Sequence, residues 1–283
     1  MSVLSVQSSV VLGHVGNAAA VPVLQRLGID VWPVATVQYS NHPGYGAWRG
    51  RVAEPAEIEA LLAGLQARAA FPRCRAVLSG YLGSAATGRV VLAAVSKIKK
   101  ANPDAIYVLD PVMGDRDEGM YVTDEVRRFL TSDAVPLADV IVPNAFELEV
   151  LSARPVATTE DAVAAADGLL DRGPRLVVVT SLRASDGPKD AISVLGVTRD
   201  AAWRVTTPLL KCFAKGAGDA FAALFLGHLL AGRRTRTALV RATASIFGVI
   251  AKTSEIGASE LALVAAQAQL VRPRYRFGAE RLR

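Results

Sequence analysis

Short β-branched runs alternate along the chain with longer Ala/Leu-rich stretches in which apolar residues recur at helical spacing. The runs predict strands over residues 3–6, 31–38, 76–81, 105–110, 140–143, 176–181, 192–197 and 203–206. The stretches between them predict helices over 17–27, 55–70, 85–100, 123–131, 145–152, 159–171, 219–231, 236–252 and 259–271. Strand and helix in turn are the signature of a mainly parallel sheet with helices on both faces, an α/β fold. No internal repeat, low-complexity linker or break in composition divides the sequence, so residues 1–283 are expected to form one domain. Residues 272–283 read as a loosely held basic tail.

Composition narrows the function classes. A chain of 283 residues with 51% hydrophobic side chains can fill one large core. The net charge of +6 is scattered, apart from Lys97, Lys99 and Lys100, Arg233, Arg234 and Arg236, and the basic tail. Aromatic residues, at 6%, do not interleave with the basic ones as a single-strand stacking platform requires, so no nucleic-acid partner is expected. Cys74 and Cys212 lie far apart, and His14, His42 and His228 are dispersed, so no zinc site is legible. The first ten residues lack a basic n-region, and the apolar run 220–231 is too short to span a bilayer. The expectation is a protein of the reduced cytoplasm with no membrane partner.

Candidate chemistry begins at Gly216-Ala217-Gly218-Asp219, which opens the apolar helix 219–231. Two glycines permit a φ > 0 turn and close backbone approach, while the unpaired N–H groups of residues 217–219 and the helix dipole attract an anion. Asp219 would face an attacking oxygen as general base. The same four residues also read as a plain turn with an acidic cap.

Other polar residues gather where an open α/β sheet binds ligands, beyond the carboxyl ends of its strands. Ser8, Tyr81, Asp110, Asn144, Glu147 and Thr180 all fall at or just after predicted strand ends. Asp110 and Glu147 are a sufficient carboxylate set for Mg²⁺, which keeps several waters and takes its remaining ligands from nucleotide phosphates. Asn144 with Glu147 three residues later also reads as a variant of the capping box.

Six segments give these residues a family resemblance: Gln7-Ser8, Gly13-His14-Val15-Gly16-Asn17, the run from Val37 to His42, Ser79-Gly80-Tyr81-Leu82-Gly83, Asp110-Pro111-Val112-Met113-Gly114, and the run from Pro143 to Glu149. Together the sequence resembles the pyridoxal kinases of the ribokinase-like superfamily, from Val3 to about residue 270. Gly-x-Gly-Asp and Asn-x-x-Glu belong to the superfamily. Ser-Asn-His, Gly-His-x-Gly-Asn and Ser-Gly-Tyr point to its vitamin B6 branch. The resemblance implies a three-layer α/β/α sandwich, transfer of the ATP γ-phosphoryl group to the 5′-hydroxyl of pyridoxal, Mg²⁺ as cofactor and a homodimer. It leaves a monovalent cation open.

Residue by residue, the resemblance implies that Asp219 is the base and that Gly216, Ala217 and Gly218 form the anion hole. Ser8, Val15, Val37, Pro43 and Tyr81 fall at substrate positions. Asp110, Val142, Asn144, Glu147 and Thr180 fall at ATP positions, with Asp110 and Glu147 near the metal. The loop 113–122 resembles the segment that closes over ATP. His42 reads as structural. Pro43 stands where threonine is common, Lys215 where an apolar residue is common, and Ala217 where threonine or valine is common. Two alternatives stay open: another ribokinase-like kinase, for a hydroxymethylpyrimidine or a sugar, and a non-catalytic B6-vitamer binding protein.

Overall fold

A computed structural model describes residues 1–212 and 215–283. Along the chain its strands are β1 (Ser2–Val10), β2 (Asp30–Tyr39), β3 (Gly50–Val52), β4 (Cys74–Ser79), β5 (Ile106–Leu109), β6 (Gly114–Asp115), β7 (Gly119–Met120), β8 (Val140–Ile141), β9 (Leu176–Leu182), β10 (Ala191–Val197), β11 (Ala202–Pro208) and β12 (Glu280–Arg281). The helices are α1 (Asn17–Arg26), α2 (Pro55–Ala67), α3 (Ala85–Ala101), α4 (Asp124–Phe129), α5 (Ala145–Ser152), α6 (Thr159–Leu170), α7 (Ala217–Leu230), α8 (Thr235–Glu255) and α9 (Gln267–Val271).

Ten strands form one sheet in the order β12-β11-β10-β9-β8-β5-β4-β1-β2-β3, and β6 and β7 form a separate hairpin. The strands β2, β1, β4, β5, β8 and β9 pair in parallel. Antiparallel strands close both edges, β3 on β2 and β10 to β12 on β9. From β1 the chain moves outward first to β2 and then, on the other side, to β4. Connections on either side of that divide leave a crevice at the carboxyl ends of β1 and β4.

Burial explains the layers. Val177, Val178 and Val179 are consecutive and all buried, as a strand covered on both faces requires. One face carries Ile58 and Leu62 of α2, Val91, Val95 and Ile98 of α3, Phe129 of α4, Leu148 of α5 and Leu169 of α6. The opposite face carries Leu24 of α1, Phe221 and Phe225 of α7, Leu239 of α8 and Leu270 of α9. The result is the expected α/β/α sandwich. Helix α7 is buried continuously from Ala220 to His228, because it packs against α1 and α8 as well as the sheet.

Three readings of the sequence need correction. Residues 259–266 do not form a helix: the Thr253 hydroxyl accepts from Ala262 N–H at 3.0 Å, Leu263 N–H turns back to Leu261, and only Gln267–Val271 is helical. Composition there is helical, but a side-chain oxygen has captured the backbone donor. The basic tail is not loose. Glu280–Arg281 pairs with Trp203 and Arg204, and Arg283 forms a bidentate pair with Asp167 at 2.7 and 2.9 Å. Strand β1 extends to Val10, beyond the predicted 3–6, because its polar residues are buried and paired: Ser5 Oγ donates to Asn17 Oδ1 at 2.7 Å, and Gln7 Nε2 donates to Ser5 Oγ at 2.9 Å. Such polar positions read as a turn in one dimension.

Candidate active site

Four segments meet at the carboxyl edge of the sheet. The first is the end of β1 with the loop into α1. The β1–β2 register shifts between Gln7 and Ser9, so the irregularity falls at Ser8. Gly16 follows with φ 53°, and a Cβ on it would lie 2.3 Å from Ser8 Oγ. Only glycine lets this loop close on Ser8. Asn17 fixes the loop from below, donating through Nδ2 to Val34 O at 2.9 Å and to Gln7 O at 3.3 Å.

The second segment is the start of α7. Gly216 adopts φ 93°, and a Cβ there would overlap the His14 carbonyl oxygen at 1.7 Å, so the α7 turn and the β1–α1 loop fit together only through glycine. Among the described residues no side chain caps this helix. Its first intrahelical bond is Ala220 N–H to Gly216 O at 3.0 Å, which leaves the N–H groups of residues 217–219 ahead of the ladder. Gly218 is exposed, and a Cβ on it would meet no atom of the described residues within 4 Å. Asp219, half-buried, is pushed up to about 6 by loss of hydration, opposed by hydrogen bonds from the Gly16 backbone and its own.

The third segment comprises the ends of β5, β8 and β9. Asp110 is buried, and among the described residues every influence on its carboxylate raises the pKa: burial first, then Glu147 and Asp219. Val142 is buried and donates its N–H to Leu109 O at 2.9 Å. Asn144 pairs with Thr180 in an isolated parallel bridge. Asn144 and Glu147 form a complete capping box for α5. Glu147 Oε2 accepts from Asn144 N–H and Oε1 from Met113 N–H, both at 2.9 Å, while Asn144 Nδ2 donates to Gly114 O at 2.8 Å. These contacts anchor the β6–β7 hairpin. Burial pushes Glu147 up to about 8, against its backbone donors.

The metal expectation is thereby narrowed. Both Glu147 oxygens are occupied by backbone donors, whereas among the described residues no such donor reaches Asp110. Among the described residues no three acidic, histidine or cysteine side chains are placed to enclose an ion. Asp219 raises the pKa of both Asp110 and Glu147, and Glu147 raises that of Asp110, so the three carboxylates form one locus of negative charge. That fits a hydrated divalent cation held at one carboxylate, with the remaining acids acting through space.

The fourth segment is apolar. Val10, Val15, Val37 and Tyr39 make a small buried cluster of their own, with Ala18 and Tyr81 packed against it. Val15, Val37 and Tyr81 are thus brought together in one apolar cluster. Pro43 stands apart, exposed at the first position of the 3₁₀ turn Pro43–Tyr45, which His42 caps by accepting from Gly44 N–H through Nδ1 at 3.0 Å. That capping bond is a contact the His42 ring makes here. No role is read from the sequence for Val10, Tyr39 or the Ser5-Gln7-Asn17 network, although Gln7, Asn17 and Tyr39 lie in the segments that carry the resemblance.

Comparison with known proteins gives the family. Residues 50–263 match the family model described as phosphomethylpyrimidine kinase. The pyridoxal kinase PdxY of Rubrobacter xylanophilus is 50% identical over 100% of this chain and 98% of its own length. That of Deinococcus radiodurans is 46% identical, over 99% of this chain and 96% of its own. This chain belongs to the pyridoxal kinase family. The solved pyridoxal kinase of Leishmania donovani in complex with ADP and pyridoxamine superposes with a TM-score of 0.93 at 30% identity, covering 100% of this chain and 99% of that one. As in that family, the fold is the ribokinase-like sandwich with a large, mostly parallel sheet. Within this pyridoxal kinase family member, the carboxylates, the uncapped α7 start and the apolar cluster occupy one sheet edge.

Proposed function

We propose that the protein transfers the γ-phosphoryl group of ATP to the 5′-hydroxyl of pyridoxal, giving pyridoxal 5′-phosphate. The observation that carries the reading is the half-buried Asp219 carboxylate at a helix start that no described side chain caps. A base with a pKa near 6 is suited to accept a hydroxyl proton close to neutral pH. The N–H groups of residues 217 and 218, ahead of the helix ladder, stabilise charge on the transferring group, because they are fixed before the reaction begins. Phosphoryl transfer asks mainly for positioning and charge neutralisation, and these residues supply both.

In this reading the apolar side chains of Val15, Val37 and Tyr81 enclose the pyridine ring, Ser8 hydrogen-bonds it, and Pro43 borders the entrance. Asp110, Val142, Asn144, Glu147 and Thr180 receive the nucleotide. Mg²⁺, when bound, neutralises phosphate charge. Asp110 would hold it, and Glu147 would add field through its fixed carboxylate. The relatives solved with ADP and pyridoxamine, and with ADP and pyridoxine, support this ligand pair. The exposed apolar side chains of Val11, Leu12 and Val52, close to the β2–β3 edge, support assembly as a homodimer. Two free cysteines support a reducing cytoplasmic setting, and among the described residues no helix is long and apolar enough to cross a membrane.

The test is ATP-dependent formation of pyridoxal 5′-phosphate by the purified protein, with pyridoxine, pyridoxamine and hydroxymethylpyrimidine as competitors. Preferential turnover of hydroxymethylpyrimidine would transfer the assignment to the activity for which the matching family model is described. Binding of pyridoxal without any turnover would leave a vitamer carrier.

A further inference from the structure

Lys215 immediately precedes the anion-hole glycine, yet its side chain does not point toward the carboxylates of the site. Its Nζ lies 2.5 Å from Glu118 Oε1 and 3.7 Å from Asp115 Oδ2, both in the β6–β7 hairpin. The hairpin tip is itself fixed, since Asp115 Oδ1 accepts from Glu118 N–H at 2.7 Å and Asp117 N–H at 3.0 Å. Its stem is anchored by Asn144 and Glu147 on the nucleotide side.

The same Glu118 oxygen lies near the opposite wall. A Cβ placed on Gly44 would stand 3.4 Å from Glu118 Oε1, so the carboxylate is a neighbour of the turn that follows Ser40-Asn41-His42. Tyr45, in that turn, is pushed up to about 12 by burial and by its hydrogen bond to Glu260, and its phenol also bonds to the Lys215 backbone. Residue 215 therefore stands between two pieces of chain: its ammonium pairs with the nucleotide-side hairpin, and its backbone bonds to Tyr45 of the substrate-side turn.

We propose that Lys215 is a positioning residue whose pairing with Glu118 and Asp115 couples the nucleotide-side hairpin to the substrate-side turn, so that each ligand tightens the binding of the other. The inference rests on the proposed ligand pair. The three side chains are between 28% and 38% exposed, so their pairing contributes little to global stability. Its effect belongs in the coupling between two binding events, which is reciprocal by linkage. Loss of the ammonium leaves Asp115 and Glu118 without this counter-charge, and the hairpin is released from residue 215, whose backbone still meets the turn.

The experiment measures the affinity of a non-hydrolysable ATP analogue with Mg²⁺, with and without saturating pyridoxal, in the full-length wild type, Lys215→Met, Glu118→Gln and the charge swap Lys215→Glu/Glu118→Lys. Wild type is expected to show a coupling factor of about fivefold or more. Each single variant should bring the factor below about twofold with little change in melting temperature, and the swap should recover most of it. Coupling that is unchanged in a folded Lys215→Met protein, absent from wild type, or not recovered by a folded swap overturns the proposal. Failure of wild type to bind pyridoxal at all would instead overturn the substrate reading.

Discussion

Two helices begin at the same sheet edge with the same spacing and opposite outcomes. In α5 the sequence Asn144-Ala145-Phe146-Glu147 closes on itself, with each side chain taking the other's backbone N–H at 2.9 Å. In α7 the sequence Gly216-Ala217-Gly218-Asp219 again places an acid three residues after the cap, yet no described side chain caps the helix. Glycine has no side chain to give. Its left-handed backbone and the shorter aspartate leave the acid turned to Gly16 instead. A closed box spends its polar groups on structure, and an open one leaves N–H donors and a carboxylate for chemistry.

The largest break of this contrast is Asp219→Asn. It keeps the fold and ATP binding but is expected to lower kcat by roughly 10² to 10⁴, the range for a lost positioned base. Wild-type kcat/KM for pyridoxal should fall as pH drops through about 6, where Asp219 takes up its proton. The amide variant should lack that limb. Steady-state rates across pH check both, and a kcat within about threefold of wild type would remove Asp219 from the chemistry.

Next in size is Gly216→Ala. The new Cβ meets His14 O at 1.7 Å in a backbone conformation that costs an L-residue about 1 to 3 kcal/mol, so the helix start must shift. A lower melting temperature with a fall in kcat of roughly tenfold or more is expected, from misaligned donors. Wild-type kcat in a destabilised but folded variant would show that the turn serves packing alone.

Glu147→Gln tests the closed helix. Glutamine offers one acceptor oxygen where two backbone N–H groups now find two, so one buried donor is left unpaired, at a cost of about 1 to 3 kcal/mol. It also removes charge beside Asp110, and the Mg²⁺ concentration for half-maximal rate is expected to rise severalfold. Stability loss with an unchanged Mg²⁺ titration would confine Glu147 to capping. Linkage gives a second reading of the same acids. Their folded pKa values lie above the unfolded ones, so the stability they confer is present below about pH 4 and is lost as pH rises toward 8. Added Mg²⁺ should therefore raise the melting temperature more at pH 8 than at pH 6.

The contrast also marks how far one dimension carries. The six parallel strands and α5 are legible because their apolar runs and caps are local signals. Asp110, Asn144 and Thr180 can be placed on one edge because strand ends in such sheets face one crevice, while Asp219 is read from the glycines that open α7. What stays hidden depends on partners distant in sequence. The occupation of Glu147 by Met113, the pairing of Lys215 with a hairpin nearly a hundred residues upstream, and the capture of the tail by Trp203 and Asp167 have no local signature. Pro43 shows the converse. The resemblance gives it a substrate position, and the fold leaves it outside the apolar cluster.

The smallest effect, and the one with two signs, belongs to Gly218→Ala. Gly218 lies within the first turn of α7, where a methyl group would find no atom of the described residues within 4 Å, and it is not among the residues with positive φ. Alanine there should stabilise the helix by about 0.5 to 1 kcal/mol, through the lost flexibility of the unfolded chain. If the open space is where the transferring phosphoryl group approaches, the same methyl should raise KM for ATP or lower kcat by a few-fold. Higher melting temperature with lower activity would show that glycine is kept at this position for the ligand rather than for the helix. Higher melting temperature with full activity would mean that the anion-hole function rests on the N–H groups and on Gly216, with residue 218 a bystander in the open helix start.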